Sequence, residues 1–275
     1  MTSLDADAIR DSLGEFAASR LDRFEAFDEI GSTNTHLMQQ PAPAPGCLRV
    51  AITDNQVAGR GRHGRTWQSP PGSGLCLSLG YAFARPPANL PALTLAIGLG
   101  VVDALDEVGA PGIQLKWPND LIANDGKLGG ILTESLSPPG GDSTLVVTGI
   151  GLNIDLDRTL EVAPAIEGAR KIVDLAGFAD SLAPRHEIAA RMIDRVCAAF
   201  AAYEEAGFAA FAARWSERDW LRGRQLTVAT PQSRVTGIGA GIADDGALLV
   251  DTGSGTPHRI TSGTVVAADA GEPGP

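Results

Sequence analysis

The residues best suited to chemistry form the segment GRGRHGRTW, residues 59–67. It holds three arginines, one histidine and three glycines, in a chain with a formal net charge of -11. Glycine lets backbone N–H groups come close to a ligand, and the guanidinium group matches phosphate or carboxylate with paired donors. The segment therefore favours an anion-binding loop. A surface loop with solvated arginines is compatible with the same composition.

The spacing of this segment, called the arginine loop below, differs from the common phosphate-binding motifs. The chain has no GxxxxGK[ST] sequence, and Pro70 and Pro71 follow too soon for the loop to open a helix as GxGxxG does. The acidic net charge disfavours nucleic acid as a partner, because a nucleic-acid binder usually carries a wide basic face with interleaved aromatic residues. Any anion site must therefore be local.

A second candidate is KWPNDLIANDGKLGGIL, residues 116–132, which places a lysine on each side of a predicted hairpin turn, ANDG. Two glycines follow Lys127 inside an apolar strand, where glycine often marks the close approach of a ligand. A lysine beside them would neutralise an anion in a cleft. The same pattern also fits Lys116 and Lys127 as exposed strand ends, with Asn119 and Asp120 as turn formers.

Two shorter motifs complete the set. GSTN, residues 31–34, precedes a helical stretch, so Ser32 or Thr33 fits a helix N-cap, and its hydroxyl and amide groups also suit a small polar ligand. TGIGLNI, residues 148–154, has two glycines in an apolar strand, which indicates a backbone packed against something flat.

The elements that must position these motifs follow from apolar periodicity. Residues 9–27 suggest one or two short helices, and residues 56–74 a long loop. Strands are predicted at 47–53, from Leu75 to Tyr81, and at 113–121, 127–135 and 145–154. Amphipathic helices are predicted at 95–108 and 186–203, with a short helix ending near Trp215. Beyond Trp220, five short strands predict a small antiparallel barrel.

The bulk composition fits a soluble globular protein, because 44% of the residues are apolar and 20% are charged. The length of 275 residues suits one large domain plus a small one. Three widely spaced cysteines suggest buried thiols and a reducing cytoplasm. The N-terminus does not look like a signal peptide, and no apolar run approaches the ~20 residues that span a bilayer.

Taken together, the motifs and their order resemble the biotin protein ligase family over roughly residues 28–270. The resemblance implies an α+β fold: a mixed β-sheet with helices packed on it, of the class II synthetase-like biotin/lipoate ligase type, followed by a small SH3-like β-barrel. It implies a helical segment at 1–27, a catalytic domain at 28–220, the barrel at 221–270 and a disordered tail at 271–275. With about 27 residues before the first motif, no DNA-binding domain is expected.

The activity implied by the resemblance has two steps. Biotin and ATP give biotinyl-5′-AMP and pyrophosphate, and the biotinyl group then passes to one lysine of a biotin carboxyl carrier domain of an acyl-CoA or pyruvate carboxylase. Mg²⁺ is expected with ATP. Neither nucleic acid nor a membrane is an expected partner, and a cytoplasmic monomer or weak homodimer is expected.

The resemblance also assigns roles to residues. Catalysis falls to Lys127, Arg60 and Arg62, since two anions must approach each other and cations offset their repulsion. Biotin binding is assigned to Ser32, Thr33, Asn34, Gln56, Gly59, Arg60, Gly61, Arg62, Lys127, Gly130 and Gly149. The nucleotide is assigned to Arg62, Arg65, Trp67, Lys116, Asn119, Lys127 and Asn153. Gly151 would leave room for ligand, His63 faces phosphate or solvent, and Asp120 is a candidate magnesium-side or hairpin-turn residue.

Two other functions stay open. A lipoate or octanoate ligase shares the chemistry with a different acyl group, but the polar GSTN segment and Gln56 favour the ureido head of biotin over an alkyl chain. A non-enzymatic module that binds anions or nucleic acid would use the arginine loop, but would leave KWPND and KLGGIL unexplained.

Overall fold

A seven-stranded mixed sheet forms the centre of the molecule. The structure is a computed structural model that describes residues 4–87, 89–137, 143–156 and 171–269. The strand order is β1-β2-β3-β7-β6-β5-β4; β1 runs parallel to β2, and every other neighbouring pair is antiparallel. The strands are β1 Leu21–Phe27, β2 Leu48–Thr53, β3 Gly74–Phe83, β4 Gln114–Lys116, β5 Asp120–Ala123, β6 Gly126–Leu136 and β7 Thr144–Asn153.

The helices cover both faces of this sheet. They are α1 Ala6–Asp11, α2 Glu15–Ala18, α3 Thr33–Met38, α4 Leu90–Glu107, α5 Arg185–Ala206 and α6 Ala212–Arg218. Helix α4 is buried on almost every side because it lies between the sheet and α5. Gly100 permits this packing, since a Cβ there would lie 2.9 Å from the backbone oxygen of Arg195 in α5.

The central strand β3 contributes side chains to both faces of the sheet: the main apolar core on one face, and the face covered by α3, with a smaller apolar cluster, on the other. All of its residues are buried. Because side chains alternate between the two faces of a strand, Leu75, Leu77 and Leu79 join the main apolar core. Cys76 and Ser78 therefore point to the opposite face, where α3 begins.

The C-terminal part forms a separate antiparallel sheet in the order β11-β10-β9-β8-β12. Its strands are β8 Gln225–Ala229, β9 Arg234–Ile242, β10 Leu248–Asp251, β11 His258–Ile260 and β12 Thr264–Asp269. Burial alternates along β9, as the period of a half-buried strand requires. The predicted succession of a mixed sheet with helices and a small antiparallel sheet is confirmed.

Two sequence-based predictions of secondary structure are wrong. Residues 9–27 were predicted to form one or two short helices. Helices α1 and α2 are present, but the end of this range, Leu21–Phe27, forms strand β1, which pairs with the distant strand β2. Residues 113–121 were predicted as one strand, but the chain reverses at Trp117–Asn119 and gives β4 and β5, paired through Lys116 and Asp120. The next turn is confirmed: Asn124 and Asp125 have φ values of 46° and 57°, as a tight hairpin requires.

The division into domains at residues 27 and 220 stays a prediction. The predicted tail at 271–275 lies outside the described residues. Within the described part of the chain, no single helix has both the length and the apolar character needed to cross a membrane; α5 and α6 meet those criteria only as a pair bent by 83°.

Candidate functional site

A cavity of about 830 Å³ lies where the arginine loop, the sheet, the β4–β5 turn and strand β12 meet. Most of the residues assigned to a site from the sequence line it. These are Ser32, Thr33, Asn34, Gln56, Arg60, Gly61, Arg62, His63, Arg65, Trp67, Lys116, Asn119, Asp120, Lys127, Gly130, Gly149 and Gly151. The fold therefore gathers motifs from widely separated parts of the chain around one volume.

The arginine loop folds as a small hairpin. Gly61 N–H donates to the carbonyl of Arg65 at 2.7 Å, and Trp67 N–H donates to the carbonyl of Gly59 at 3.0 Å. Gly59 does not line the cavity but makes the hairpin possible, because a Cβ there would lie 2.3 Å from the Trp67 carbonyl oxygen. The loop thus has a defined internal geometry, and most of its residues line the cavity.

The loop arginines reach two different walls of the cavity. Arg60 donates to the Glu134 carboxylate at 2.6 Å and to the Thr35 hydroxyl at 3.2 Å. Arg62 donates to the Asn119 side-chain oxygen at 3.4 Å. Burial lowers the pKa of the Arg62 guanidinium, an effect that the nearby Asp120 carboxylate opposes. A guanidinium still stays charged near neutral pH, so Arg62 brings a partly desolvated cation to the cavity.

The GSTN segment caps α3 and supplies the polar end of the cavity. Ser32 Oγ accepts a hydrogen bond from Thr35 N–H at 3.4 Å, which confirms the N-cap interpretation. Gln56 Oε1 accepts from Thr33 N–H at 2.8 Å and from Thr33 Oγ1 at 3.2 Å. These uncharged donors and acceptors are held in place before any ligand enters.

Ser78 is a member of this network that the sequence reasoning missed. Its buried hydroxyl lies 2.7 Å from both Thr33 Oγ1 and Asn34 Oδ1, and it can donate to one of them at a time. The Asn34 amide donates to the Leu132 carbonyl at 3.1 Å and to Glu134 at 3.0 Å. A polar residue on the face of β3 opposite its leucines was the signal that could have revealed Ser78.

The two glycines of β7 make room for the protein's own side chains. A Cβ on Gly149 would lie 2.2 Å from Asn34 Oδ1, and one on Gly151 would lie 2.3 Å from the Trp67 ring. The flat partner expected from the sequence is thus the indole of Trp67 at Gly151. The glycines shape the cavity by admitting Asn34 and Trp67, which line it.

The lysines and Asp120 form the charged end of the cavity. Lys127 Nζ lies 2.7 Å from Asp120 Oδ1, and Lys116 Nζ lies 3.7 Å from Asp120 Oδ2. The β4–β5 pairing sets Lys116 opposite Asp120, and the β5–β6 pairing sets Asp120 opposite Gly130, close to the Lys127 ammonium. Two ammonium groups sharing one carboxylate leave the cavity positive, which suits an anionic ligand.

The two candidate asparagines lie in different places. Asn119 lines the cavity, accepts from Arg62 and donates to the Ile131 carbonyl at 2.8 Å. Asn153 does not line it, and its amide donates to the Val173 carbonyl at 3.0 Å. The geometry therefore gives Asn153 a role in holding residues 171–173 beside Lys127, and its contact with a nucleotide stays a prediction.

The described residues do not by themselves fit a resident magnesium ion. Among those that line the cavity, Asp120 alone carries a carboxylate, and both of its oxygens face lysines. The described ranges contain no group of three or more histidine, cysteine, aspartate or glutamate side chains that could hold a metal. Mg²⁺ prefers octahedral oxygen coordination, much of which nucleotide phosphates and water can supply.

Further lining residues escaped the sequence reasoning. Cys76 lines the cavity, and burial raises the pKa of its thiol to about 11, so it stays neutral at pH 7. Strand β12 supplies a wall from the C-terminal sheet: Thr264, Val265, Val266, Ala267 and Ala268. The sequence predicted a strand here but did not place it at the cavity, because that position depends on how the two sheets dock.

Comparison with known proteins agrees with these features. Residues 27–153 match the Biotin/lipoate A/B protein ligase family, and residues 223–267 match the Biotin protein ligase C terminal domain. The biotin–[acetyl-CoA-carboxylase] ligase of Mycobacterium tuberculosis is 34% identical over 269 residues, covering 96% of this chain and 95% of that protein. The bifunctional ligase/repressor BirA of Escherichia coli is 34% identical over 225 residues, covering 81% and 67%.

Solved structures show the same architecture. The biotin protein ligase from Aquifex aeolicus in complex with biotin and ATP superposes with a TM-score of 0.73 at 25% identity, covering 89% of this chain and 97% of that one. The predicted fold class, including the SH3-like character of the small sheet, is confirmed. The chain therefore belongs to the biotin protein ligase family, and it is a ligase.

Proposed function

We propose that the chain activates biotin with ATP and then transfers the biotinyl group to a specific lysine of a biotin carboxyl carrier domain. One observation carries the proposal: a single cavity has an uncharged polar end at Thr33, Asn34 and Gln56 and a cationic end at Arg62 and Lys127. A ligand with a polar ureido head and a carboxylate at the end of an alkyl chain has matching chemistry at both ends.

The first step joins two anions. The biotin carboxylate oxygen attacks the α-phosphorus of ATP, the bond to the β-phosphate oxygen breaks, and pyrophosphate leaves while biotinyl-5′-AMP remains. Lys127, Lys116 and Arg62 offset the repulsion between the carboxylate and the phosphates and stabilise the charge that develops. Lys127 is the proposed main catalytic residue, because its ammonium lies in the cavity beside Gly130 and is paired there with a single carboxylate, that of Asp120.

The second step uses the energy held in the mixed anhydride. The neutral amine of the acceptor lysine attacks the biotinyl carbonyl carbon, AMP leaves, and the amine loses a proton as the amide forms. The arginine loop must exclude water until the acceptor arrives. Its bonds from Arg60 to Glu134 and from Arg62 to Asn119 connect it to two other parts of the site, which supports this role.

The names of similar proteins support biotin and ATP as substrates. The Aquifex aeolicus neighbour is described in complex with both, and the Mycobacterium tuberculosis relative is named for acetyl-CoA-carboxylase. A carboxylase carrier domain is therefore the acceptor we propose. A magnesium requirement, a cytoplasmic location and a monomeric or weakly dimeric state remain predictions.

The decisive experiment measures pyrophosphate release from ATP and Mg²⁺ with biotin, lipoate or octanoate as the acid. We expect release with biotin alone, followed by mass spectrometry showing one modified lysine when a biotin carboxyl carrier domain is added. Pyrophosphate release with lipoate or octanoate would indicate a lipoate or octanoate ligase instead. No release with any acid, together with salt-sensitive binding of RNA or DNA, would favour the binding module.

A further inference from the structure

The turn between β9 and β10, residues 243–247, docks on the catalytic sheet at the start of α4. The indole N–H of Trp117 donates to the Gly246 carbonyl at 3.1 Å, and the Asn89 amide donates to the Asp245 carbonyl. The Tyr203 hydroxyl of α5 in turn donates to the Asn89 carbonyl at 2.7 Å. The contact therefore joins the C-terminal sheet to both long helices and to the motif KWPND.

We propose that this turn is a positioning element for the adenylation step, acting through Trp117 on the cationic end of the cavity. The inference rests on the proposed function. Gly246 does not line the cavity, whereas Trp117 lines it and is buried. The turn thus lies outside the site and reaches it through one side chain.

Trp117 is well placed to transmit the position of the turn. It follows Lys116, which pairs with Asp120, and it begins the short reversal that brings Asn119 within hydrogen-bond distance of Arg62. Only residues 117–119 separate β4 from β5, so a shift of the indole moves both ends of this reversal. A misplacement of about 1 Å at a reacting group can cost about a hundredfold in rate.

Glycine at position 246 is required by packing as well as by backbone conformation. Its φ is +82°, and a Cβ there would lie 2.8 Å from the Ala92 Cα in the first turn of α4. Gly253, in the next turn of the same sheet, has a φ of +79°, and a Cβ added there would meet nothing within 4 Å. Replacing either glycine with alanine would therefore strain the backbone, but only the substitution at Gly246 would also clash with α4.

The first test compares Gly246→Ala with its matched control Gly253→Ala in biotin-dependent ATP–pyrophosphate exchange. We expect Gly246→Ala to lower kcat by about tenfold or more while KM for biotin stays within about twofold, because the polar end of the cavity is untouched. Gly253→Ala keeps the wild-type kcat. Equal effects of the two substitutions, at equal folded fractions by circular dichroism, overturn the proposal.

The second test removes only the hydrogen bond. Trp117→Phe deletes the indole N–H that donates to the Gly246 carbonyl. The control, Trp215→Phe, deletes a buried indole N–H that has no hydrogen-bond partner among the described residues. We expect loss of kcat in the first variant alone. If Gly246→Ala fails to fold, the comparison of Trp117→Phe with Trp215→Phe still tests the proposal. An unchanged kcat in Trp117→Phe refutes the role of the turn.

A double-mutant cycle separates positioning through Trp117 from direct contact of Trp117 with a substrate. If the turn acts through the indole, Gly246→Ala adds little to the loss already caused by Trp117→Phe. Fully additive losses overturn the proposal. A wild-type enzyme that shows no biotin-dependent exchange would instead refute the proposed function, so the two failures are distinguishable.

Discussion

The ammonium of Lys127 lies 2.7 Å from the carboxylate of Asp120, at the cationic end of the cavity. The same carboxylate faces the buried Lys116, so one negative charge is shared between two positive ones. Burying a charge without a partner is costly, so the carboxylate of Asp120 stabilises the buried ammonium of Lys116 and also pairs with the partly exposed ammonium of Lys127. When an anionic ligand enters, its oxygens can take over this role, which leaves Lys127 free to follow the reacting phosphate.

Lys127→Ala is expected to keep the fold and to lower biotin-dependent pyrophosphate release by about a hundredfold or more, because it deletes a positive charge where two anions meet. The side chain of Lys171 is exposed and does not line the cavity, so Lys171→Ala is the matched control. Near-normal release by Lys127→Ala would contradict its assignment as the main catalytic residue.

Asp120→Asn separates the ion-pair role of Asp120 from a magnesium-side role. Removal of the carboxylate leaves the lysines without their shared partner, so we expect tighter binding of inorganic pyrophosphate and a kcat lowered by about tenfold. The Mg²⁺ concentration for half-maximal rate should stay as in the wild type. A large rise in that concentration would instead indicate that Asp120 ligates the metal.

The sequence predicted the features that depend on a few neighbouring residues. The arginine loop, the hairpin turn at Asn124–Asp125 and the cap at Ser32 are encoded within a few residues each, and these predictions match the structure. The same holds for α5, whose apolar period is visible in the chain. Local spacing and residue type were sufficient at these places.

The sequence did not predict contacts between residues that lie far apart in the chain. Residues 21–27 pair with β2 only after a long intervening segment, and no local pattern revealed this pairing. The neighbours of the β7 glycines, Asn34 and Trp67, come from other elements. The wall from β12 depends on docking between two sheets. Each of these features is set by tertiary packing, which propensity and spacing do not encode.

Glu134→Ala is expected to loosen the arginine loop. It removes the ion pair with Arg60, whose side chain is half exposed, and one acceptor of the Asn34 amide, which keeps its bond to the Leu132 carbonyl. The loss of folding stability should therefore be small, while closure of the loop weakens. Adenylate should then escape and label lysines of a bystander protein such as albumin, read out by streptavidin blotting. Glu25→Ala, which breaks a pair with His36 away from the cavity, is the control, and equal labelling by both variants would contradict the role of Glu134.

Asp219 makes the stability of the protein depend on pH. Burial raises the pKa of its carboxyl from 3.8 to about 6, although the Leu221 N–H and Arg222 oppose the shift, and its Oδ2 has no hydrogen-bond partner among the described residues. The folded state therefore binds this proton more tightly than the unfolded state does. The destabilisation is absent below pH 4, grows as pH rises from 4 to 6 and is complete above pH 6.

Asp219→Asn removes the charge and keeps an oxygen that can accept from Leu221 N–H. We expect the variant to gain about 1–3 kcal/mol of unfolding free energy relative to the wild type between pH 5 and pH 8, apart from any cost of the new amide group. Urea unfolding at pH 5, 6, 7 and 8 measures this difference. A difference that stays constant from pH 5 to pH 7 would show that the pKa of the folded Asp219 carboxyl is not near 6, because the gain should grow with pH until that carboxyl has ionised.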